Sequence, residues 1–149
     1  NKFEINLSNS KILDLFSGVG SFGIECLSRG VKKVIFIENY KGVLPLLKKN
    51  LISLKSVKNY NIIEKNIYND NVFQNLDHKF DIIFMDPPFK DDNLDNIFSE
   101  IHNHKILNKN GIIIIHRHKD ETDIHPLNLK LIEEKLYGIS KIKFFSNLD

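Results

Sequence analysis

The chain has 149 residues, 42% hydrophobic and 27% charged, with a formal net charge of +2 that neither supports nor excludes a nucleic-acid partner. This length suits one domain with its own core, and the single cysteine excludes a disulfide framework within the chain. The sequence has no run of 18 apolar residues and no signal-peptide pattern at its start, so we expect a cytoplasmic protein without a membrane partner.

Short apolar runs alternate with helical patterns along the chain. The predicted strands are residues 11–16, 34–37, 61–65, 80–85 and 111–115. The predicted helices are residues 21–28, 40–54, 94–107 and a short one around 68–76. Residues 129–136 and 139–145 flank Tyr137-Gly138, which is typical of a β-hairpin.

Near-continuous apolar strands separated by helices are typical of a parallel sheet that is covered on both faces. We therefore predict an α/β fold: one doubly wound, Rossmann-like domain over residues 1–149, with the hairpin adding antiparallel strands at one edge. The chain starts without Met and almost directly before its first strand, so we expect a native N-terminal segment to be missing.

A glycine-rich turn, Ser17-Gly18-Val19-Gly20, follows the first predicted strand and opens the first predicted helix. Glycines let the backbone turn tightly and approach a ligand, and a helix N-terminus offers free N–H groups. With Gly23 the turn spells G-x-G-x-x-G, and Glu38 lies at the spacing at which such sites bind ribose hydroxyls. This pattern alone fits a dinucleotide site as well as an S-adenosylmethionine site.

Asp14, at the end of the first strand, helps to separate these two ligands. A carboxylate beside the loop repels a pyrophosphate but attracts the ammonium and sulfonium groups of S-adenosylmethionine. Two structural alternatives stay open. Asp14 could cap the loop by accepting hydrogen bonds from backbone N–H groups, and Glu38 could be an acid that stabilises a helix N-terminus.

The tetrapeptide Asp86-Pro87-Pro88-Phe89 follows the fourth predicted strand. In a doubly wound sheet, ligands bind beyond the carboxyl ends of the strands, which places this motif beside the glycine-rich turn. Two prolines fix the backbone and remove two N–H donors, so that the Asp86 carboxylate and the Pro87 carbonyl remain as acceptors. An aromatic ring beside two acceptors suits a flat base that carries an amino group. The alternative is that the motif is a rigid exit from the strand.

Residues 13–30, Leu-Asp-Leu-Phe-Ser-Gly-Val-Gly-Ser-Phe-Gly-Ile-Glu-Cys-Leu-Ser-Arg-Gly, together with Phe84-Met85-Asp86-Pro87-Pro88-Phe89, carry a family resemblance. The chain resembles the bacterial 16S ribosomal RNA guanine-966-N2 methyltransferases, which are class I S-adenosylmethionine-dependent enzymes. The resemblance runs from about Lys11 to the C-terminal hairpin.

The resemblance implies a function for several positions. It implies S-adenosylmethionine as cofactor, S-adenosylhomocysteine as product, and no metal. It places the cofactor against Asp14, Phe16, Ser17, Gly18, Gly20, Glu38, Asn39, Asn66, Ile67 and Asp86. Asp86, Pro87, Pro88 and Phe89 would hold the target guanine as the catalytic group. The implied partner is 16S ribosomal RNA in the 30S subunit or an assembly intermediate, and we expect a monomer.

The sequence departs from the family in two places. Family members carry a basic segment ahead of the first strand, and they often have an acid just after the fifth strand, where this chain has His116-Arg117-His118. Three alternatives stay open. Asp-Pro-Pro-Phe also occurs in DNA adenine-N6 methyltransferases, so the chain could be a DNA adenine-N6 or tRNA amino-methyltransferase. The other two are a nicotinamide-binding oxidoreductase domain and, without the basic segment, a non-catalytic fragment that binds the cofactor.

Two pairs of histidines, His102 with His104 and His116 with His118, invite a zinc hypothesis. Neither pair has a cysteine or an obvious third ligand nearby in sequence, so we interpret them as polar residues at the ends of elements. Arg117 is a minor candidate for a contact with RNA phosphate. Cys26 is interpreted as a small core residue.

Overall fold

The computed structural model describes residues 6–68, 71–76, 79–89, 93–122 and 124–148. The strands are β1 (Lys11–Leu15), β2 (Lys33–Ile37), β3 (Tyr60–Ile63), β4 (Phe80–Met85), β5 (Leu107–His118), β6 (Leu129–Tyr137) and β7 (Ser140–Asn147). The α-helices are α1 (Ser21–Ser28), α2 (Leu44–Ile52) and α3 (Leu94–Asn103), and single 3-10 turns lie at Leu7–Asn9 and Phe73–Asn75.

These strands form one sheet in the order β3-β2-β1-β4-β5-β7-β6. The first five strands along the chain pair in parallel, and β7 pairs antiparallel with both β5 and β6. The chain builds outward from β1 to β3, then returns to place β4 on the other side of β1. The predicted parallel sheet with an antiparallel hairpin at one edge is confirmed.

The apolar strands are buried on both faces, as their sequences predict. In β1, Leu13 and Leu15 pack into the core that α3 covers, while Ile12 packs into the core beneath α1 and α2. All three side chains are fully buried. Burial of such side chains stabilises the fold by about 1.5–3 kcal/mol each, and the sheet between the two cores holds the strand ends in fixed positions.

Several predicted bounds differ from the structure, and the short helix predicted around 68–76 is, over its described residues, only a 3-10 turn at Phe73–Asn75. Three of the differences have a clear local reason. Helix α2 begins at Leu44 rather than at residue 40, because Pro45 has no N–H and fits only in the first turn of a helix. Helix α3 ends at Asn103, since Lys105 adopts a left-handed conformation with φ of 52° and the chain then enters β5. Strand β5 continues to His118, because β7 pairs with it that far.

Gly23 is where α1 approaches β2 most tightly. A Cβ atom added there would lie 3.0 Å from a methyl group of Val34 and closer still to the ring of Phe36, which is fully buried. Only a glycine therefore lets the helix lie this close to the strand, and this contact places the N-terminus of α1 beside the end of β1.

We expect Gly23→Ala to destabilise the fold. Alanine favours a helix over glycine by about 1 kcal/mol, but overpacking against a rigid buried ring costs about 1–3 kcal/mol, so the net free energy of unfolding should fall. Urea unfolding followed by circular dichroism measures this. Ser28→Ala, at an exposed site in the same helix, is the control and should change the free energy by less than about 0.5 kcal/mol. A more stable Gly23→Ala variant would contradict the close packing.

Candidate active site

The ends of β1 and β4 lie side by side at the carboxyl edge of the sheet. Leu15 is in register with Met85, so the turn after β1 and the Asp86 motif leave the sheet at the same level. The strand order reverses at this pair, and open α/β sheets bind their ligands at such a switch point. The sequence prediction that the two motifs meet is confirmed.

The turn after β1 is tightly wound. Phe16 has a φ of 56° and Gly18 a φ of 57°. A positive φ is strained for a bulky residue such as phenylalanine and is found mainly where a site requires it. The Ser17 hydroxyl donates to the Asp14 carbonyl at 2.6 Å, and the Ser17 N–H donates to the Ile37 carbonyl at 3.1 Å. These bonds connect the turn to β1 and to β2.

Gly20 has a packing function at this turn. It is the N-cap of α1 with a φ of 89°, and it is buried. A Cβ atom there would collide with the side chain of Leu47 on α2 and lie 3.1 Å from that of Ile24. Gly20 is not among the described residues that line the cleft beside the turn. A glycine is therefore required at this position by the packing of α1 against α2.

Asp14 is buried, with 1% of its surface exposed, and faces the base of the turn. Its Oδ2 accepts a hydrogen bond from the Gly23 N–H at 3.1 Å, as the loop-capping alternative predicts. Burial raises the pKa of the Asp14 carboxyl well above its ordinary value, the Gly23 N–H offsets part of this rise, and the Asp86 and Glu38 carboxylates add to it. Asp14 also lines the cleft, so capping and ligand binding are compatible there.

Glu38, just beyond β2, joins the turn to the segment that leads into α2. Its Oε1 accepts from the Gly18 N–H at 2.7 Å, and its Oε2 accepts from the N–H groups of Asn39 at 3.2 Å and Tyr40 at 3.0 Å. An ionised carboxylate has about four acceptor positions, so these three bonds leave capacity for a ligand hydroxyl.

Asp86 lies at the mouth of the site, with 52% of its side chain exposed. Its Oδ1 lies 3.0 Å from Nδ1 of His116, and Nε2 of the same imidazole lies 2.9 Å from the hydroxyl oxygen of Ser140. Thus β5, β7 and the residue that follows β4 each contribute one side chain to a chain of hydrogen-bonding groups.

The remaining motif residues surround this point. Pro88 lines the cleft, Pro87 is half-buried, and Phe89 is 60% exposed. The rings of Phe89 and His118 pack edge to face, with centroids 5.4 Å apart and an angle of 84° between the ring planes. His116 and His118 both reach this motif, since His116 contacts Asp86 and His118 contacts Phe89.

One open cleft of about 780 Å³ connects the turn with the Asp86 motif. Its walls include the stacked rings of Phe22 and Phe84, whose centroids are 4.1 Å apart. The carboxylates of Asp14, Glu25, Glu38 and Asp86 line it, and its described lining includes neither lysine nor arginine. The cleft therefore favours a ligand with positive charge.

A second cavity of about 320 Å³ shares Phe16, Glu38, Tyr40 and Pro88 with the cleft. Asn39, Asn66 and Ile67 line this cavity, together with Lys65 and Tyr68. The ring of Tyr68 lies 5.9 Å from that of Phe16, between centroids. Glu38, which lies at the spacing of a ribose-binding acid, is thus next to Asn39, Asn66 and Ile67, which the resemblance also assigned to the cofactor.

Other candidate residues have structural functions. The Arg117 side chain is 7% exposed and pairs with Glu121 at 2.7 Å, so the hypothesis that it contacts RNA phosphate is wrong. Burial raises the pKa of the Cys26 thiol to about 12, which confirms a core residue rather than a nucleophile.

Over the described part of the chain, no group of three His, Cys, Asp or Glu side chains could hold a metal ion. In the same part, no helix has the length and apolar character needed to cross a membrane.

Sequence reasoning missed His116 and Ser140 as neighbours of Asp86. The signal was present in part, since His116 follows the apolar run of the strand next to β4 and a parallel neighbour ends at the same edge. The position of Ser140 depends on how β7 pairs with β5, which the hairpin pattern alone does not determine. Phe22 and Phe84 were also missed, because each resembles an ordinary core residue in sequence.

The chain is similar to one protein family, to several known proteins and to solved structures. Residues 1–146 match the family described as conserved hypothetical protein 95. Ribosomal RNA small subunit methyltransferase D of Haemophilus influenzae is 37% identical over 143 residues, which cover 95% of this chain and 74% of that protein. Its namesake in Buchnera aphidicola is 32% identical, covering 87% of this chain and 67% of that protein. A crystal structure described as a methylase from H. influenzae matches with a TM-score of 0.82 at 36% identity, covering 96% of this chain and 89% of the other.

We expect Asp14→Asn to stabilise the unliganded protein in a pH-dependent way. The Asp14 carboxyl has a higher pKa in the folded protein than in the unfolded chain, where its pKa is near 3.8. The contribution of this group to the free energy of unfolding therefore falls as the pH rises above that value. An asparagine oxygen can still accept from the Gly23 N–H and carries no buried charge. The gain in free energy of unfolding should therefore be larger at about pH 8 than at about pH 4.

Urea unfolding at both pH values measures this gain, with Asp95→Asn at an exposed position on α3 as the control. An equal gain at the two pH values would show that the charge of Asp14 is not responsible.

Proposed function

The chain belongs to the family described as conserved hypothetical protein 95, and from this membership we propose that it transfers a methyl group from S-adenosylmethionine to the exocyclic N2 amino group of a guanine in 16S ribosomal RNA. The relatives from Haemophilus influenzae and Buchnera aphidicola described above are both named ribosomal RNA small subunit methyltransferase D. The observation that carries the proposal is the single cleft that connects the glycine-rich turn with Asp86. The substrate would be the 30S subunit or an assembly intermediate in the cytoplasm.

The charge of the cleft supports the choice of cofactor. Asp14, Glu38 and Asp86 are close enough that the latter two raise the pKa of the first. A ligand with a sulfonium and an ammonium group relieves this repulsion, whereas the pyrophosphate of a nicotinamide dinucleotide would increase it. The oxidoreductase alternative is disfavoured for that reason.

The residues of the turn and those of the second cavity would bind different parts of the cofactor. Asp14 would lie towards the charged amino-acid portion, and Glu38 would accept from a ribose hydroxyl at its remaining acceptor position. Asn39, Asn66 and Ile67 would flank the adenine in the smaller cavity, against the ring of Phe16. When bound, the cofactor supplies an electrophilic methyl group on its sulfonium.

The Asp86 motif would bind the base. The Asp86 carboxylate and the Pro87 carbonyl would each accept one N–H bond from the amino group, which points the nitrogen towards the cofactor. Phe89 is exposed enough to stack on the base, worth about 1–3 kcal/mol by analogy with other base-stacking contacts. The protein would thus accelerate the reaction mainly by positioning the two reactants, with no metal ion or covalent nucleophile.

We expect S-adenosylhomocysteine, and not NAD, to stabilise the chain. At a concentration of about 100 times its dissociation constant, a ligand adds about 2.7 kcal/mol to the stability of the folded state. A thermal shift assay with each ligand measures this, and Glu38→Gln should reduce the shift with S-adenosylhomocysteine. Stabilisation by NAD alone would remove the methyltransferase proposal.

We expect Asp86→Ala to lower methyl transfer to 30S particles by at least about 100-fold, since misplacing a reacting group costs on this order. Affinity for S-adenosylhomocysteine should change little, because Asp86 contributes one wall of the cleft among many. Transfer of tritiated methyl groups to unmethylated 30S particles, beside a calorimetric titration, separates the two effects. The control is Asp95→Ala.

The same assay tests the choice of substrate. If methyl groups were transferred to DNA or to transfer RNA and not to 30S particles, the proposed reaction would stand and the proposed substrate would be wrong. An Asp86→Ala variant as active as the wild type would refute the assigned catalytic residue.

A further inference from the structure

Asp86 needs a support that its own strand does not provide. It lies one residue beyond β4, and half of its side chain faces solvent. Such a carboxylate rotates freely unless another group holds it, and a freely rotating acceptor would orient an amino group poorly. Among the described residues, His116 is the hydrogen-bond partner of this carboxylate.

His116 is itself held at both ends of its ring. Met85 pairs with Ile115 in the parallel sheet, so the next residues along, Asp86 and His116, come level. On the other side of the ring, the Ser140 hydroxyl lies 2.9 Å from Nε2. With Asp86 ionised, the Nδ1–H of a neutral His116 donates to the carboxylate and Nε2 accepts from the Ser140 hydroxyl.

We propose that His116 is a positioning residue: it binds one oxygen of Asp86 and turns the other towards the amino group of the target base, while Ser140 holds the imidazole in the required orientation. This inference rests on the proposed function, because it concerns the orientation of the acceptor that the base would meet. It explains why the end of β7 matters to a reaction that takes place at the end of β4.

The order Ser140, His116, Asp86 also has the connectivity of a serine hydrolase triad, but its orientation is reversed. Asp86 and His116 line the cleft, whereas Ser140 is not among the described residues of that lining. In a hydrolase the serine meets the substrate and the acid supports the histidine from behind. Here the acid faces the cleft and the serine lies behind, so the chain supports Asp86.

Three variants test the proposal kinetically on 30S particles. His116→Ala should lower kcat about 10-fold and leave the KM for S-adenosylmethionine within about twofold. His116→Asn should recover most of kcat, because its amide nitrogen can donate to Asp86 from nearly the position of Nδ1. Ser140→Ala should give a smaller loss than His116→Ala. The control His102→Ala, at an exposed position on α3, should match the wild type.

A spectroscopic measurement on the wild type guards against a variant that merely fails to fold. Long-range ¹H–¹⁵N correlation spectra of the whole chain at mildly alkaline pH should show His116 mainly as the Nδ1–H tautomer. Asp86→Ala should shift His116 towards the Nε2–H tautomer. The thermal midpoint and the S-adenosylhomocysteine affinity of each variant show that it is folded.

The outcomes separate this inference from the function on which it rests. If the wild type methylates 30S particles and His116→Ala has the same kcat, the positioning role is wrong and the proposed function stands. A wild-type Nε2–H tautomer that Asp86→Ala leaves unchanged would also overturn it. If the wild type transfers no methyl group to any RNA, the proposed function fails and the positioning role of His116 fails with it. Ester hydrolysis that depends on Ser140 would replace the role with that of a triad.

Discussion

The adjacency of β1 and β4 is the constraint on which the whole site depends. The glycine-rich turn and Asp86 are about 70 residues apart in sequence, and they meet because parallel neighbours end at the same edge of a sheet. The register of Leu15 with Met85 sets the level at which the two loops leave the sheet. A slip of β4 by one residue would turn its apolar side chains to the opposite faces and move Asp86 along the strand, so the packing of the core also fixes the site.

The same edge of the sheet collects features that cost stability. Asp14 is a buried acid whose pKa is raised by burial and by its neighbours Asp86 and Glu38, and Phe16 has a positive φ. A domain selected for stability alone would avoid both, so their coincidence at one turn indicates a site that binds something. A cationic ligand offsets the repulsion among the carboxylates, which makes the protein more stable when bound than when free.

The sequence predicted the fold and the meeting of the two motifs, because these depend on local patterns and on a general rule of parallel sheets. The bounds of α1 and β4 were predicted without error, since Gly20 and Asp86-Pro87 interrupt the apolar pattern at sharp points. The prediction failed where tertiary contacts decide. Arg117 is an exposed cation by residue type, but the burial of Glu121 beside it makes it part of the interior. Similarly, the partners of His116 depend on a register between β5 and β7 that no local signal sets.

Buried charges on the opposite face of β7 constrain this register. Lys141 and Lys143 are buried on β7; Lys141 donates to the Glu121 carbonyl, and Lys143 pairs with Glu134 at 3.4 Å. Successive side chains of a strand point to opposite faces, so a slip of β7 by one residue against β5 would move the Lys141 ammonium group away from the Glu121 carbonyl. It would also remove Ser140 from His116. The pair of Lys143 and Glu134 joins β7 to β6 and holds the two strands of the hairpin in register with each other. Lys141, on the face of β7 opposite Ser140, thus helps to set the position of the Ser140 hydroxyl that holds His116.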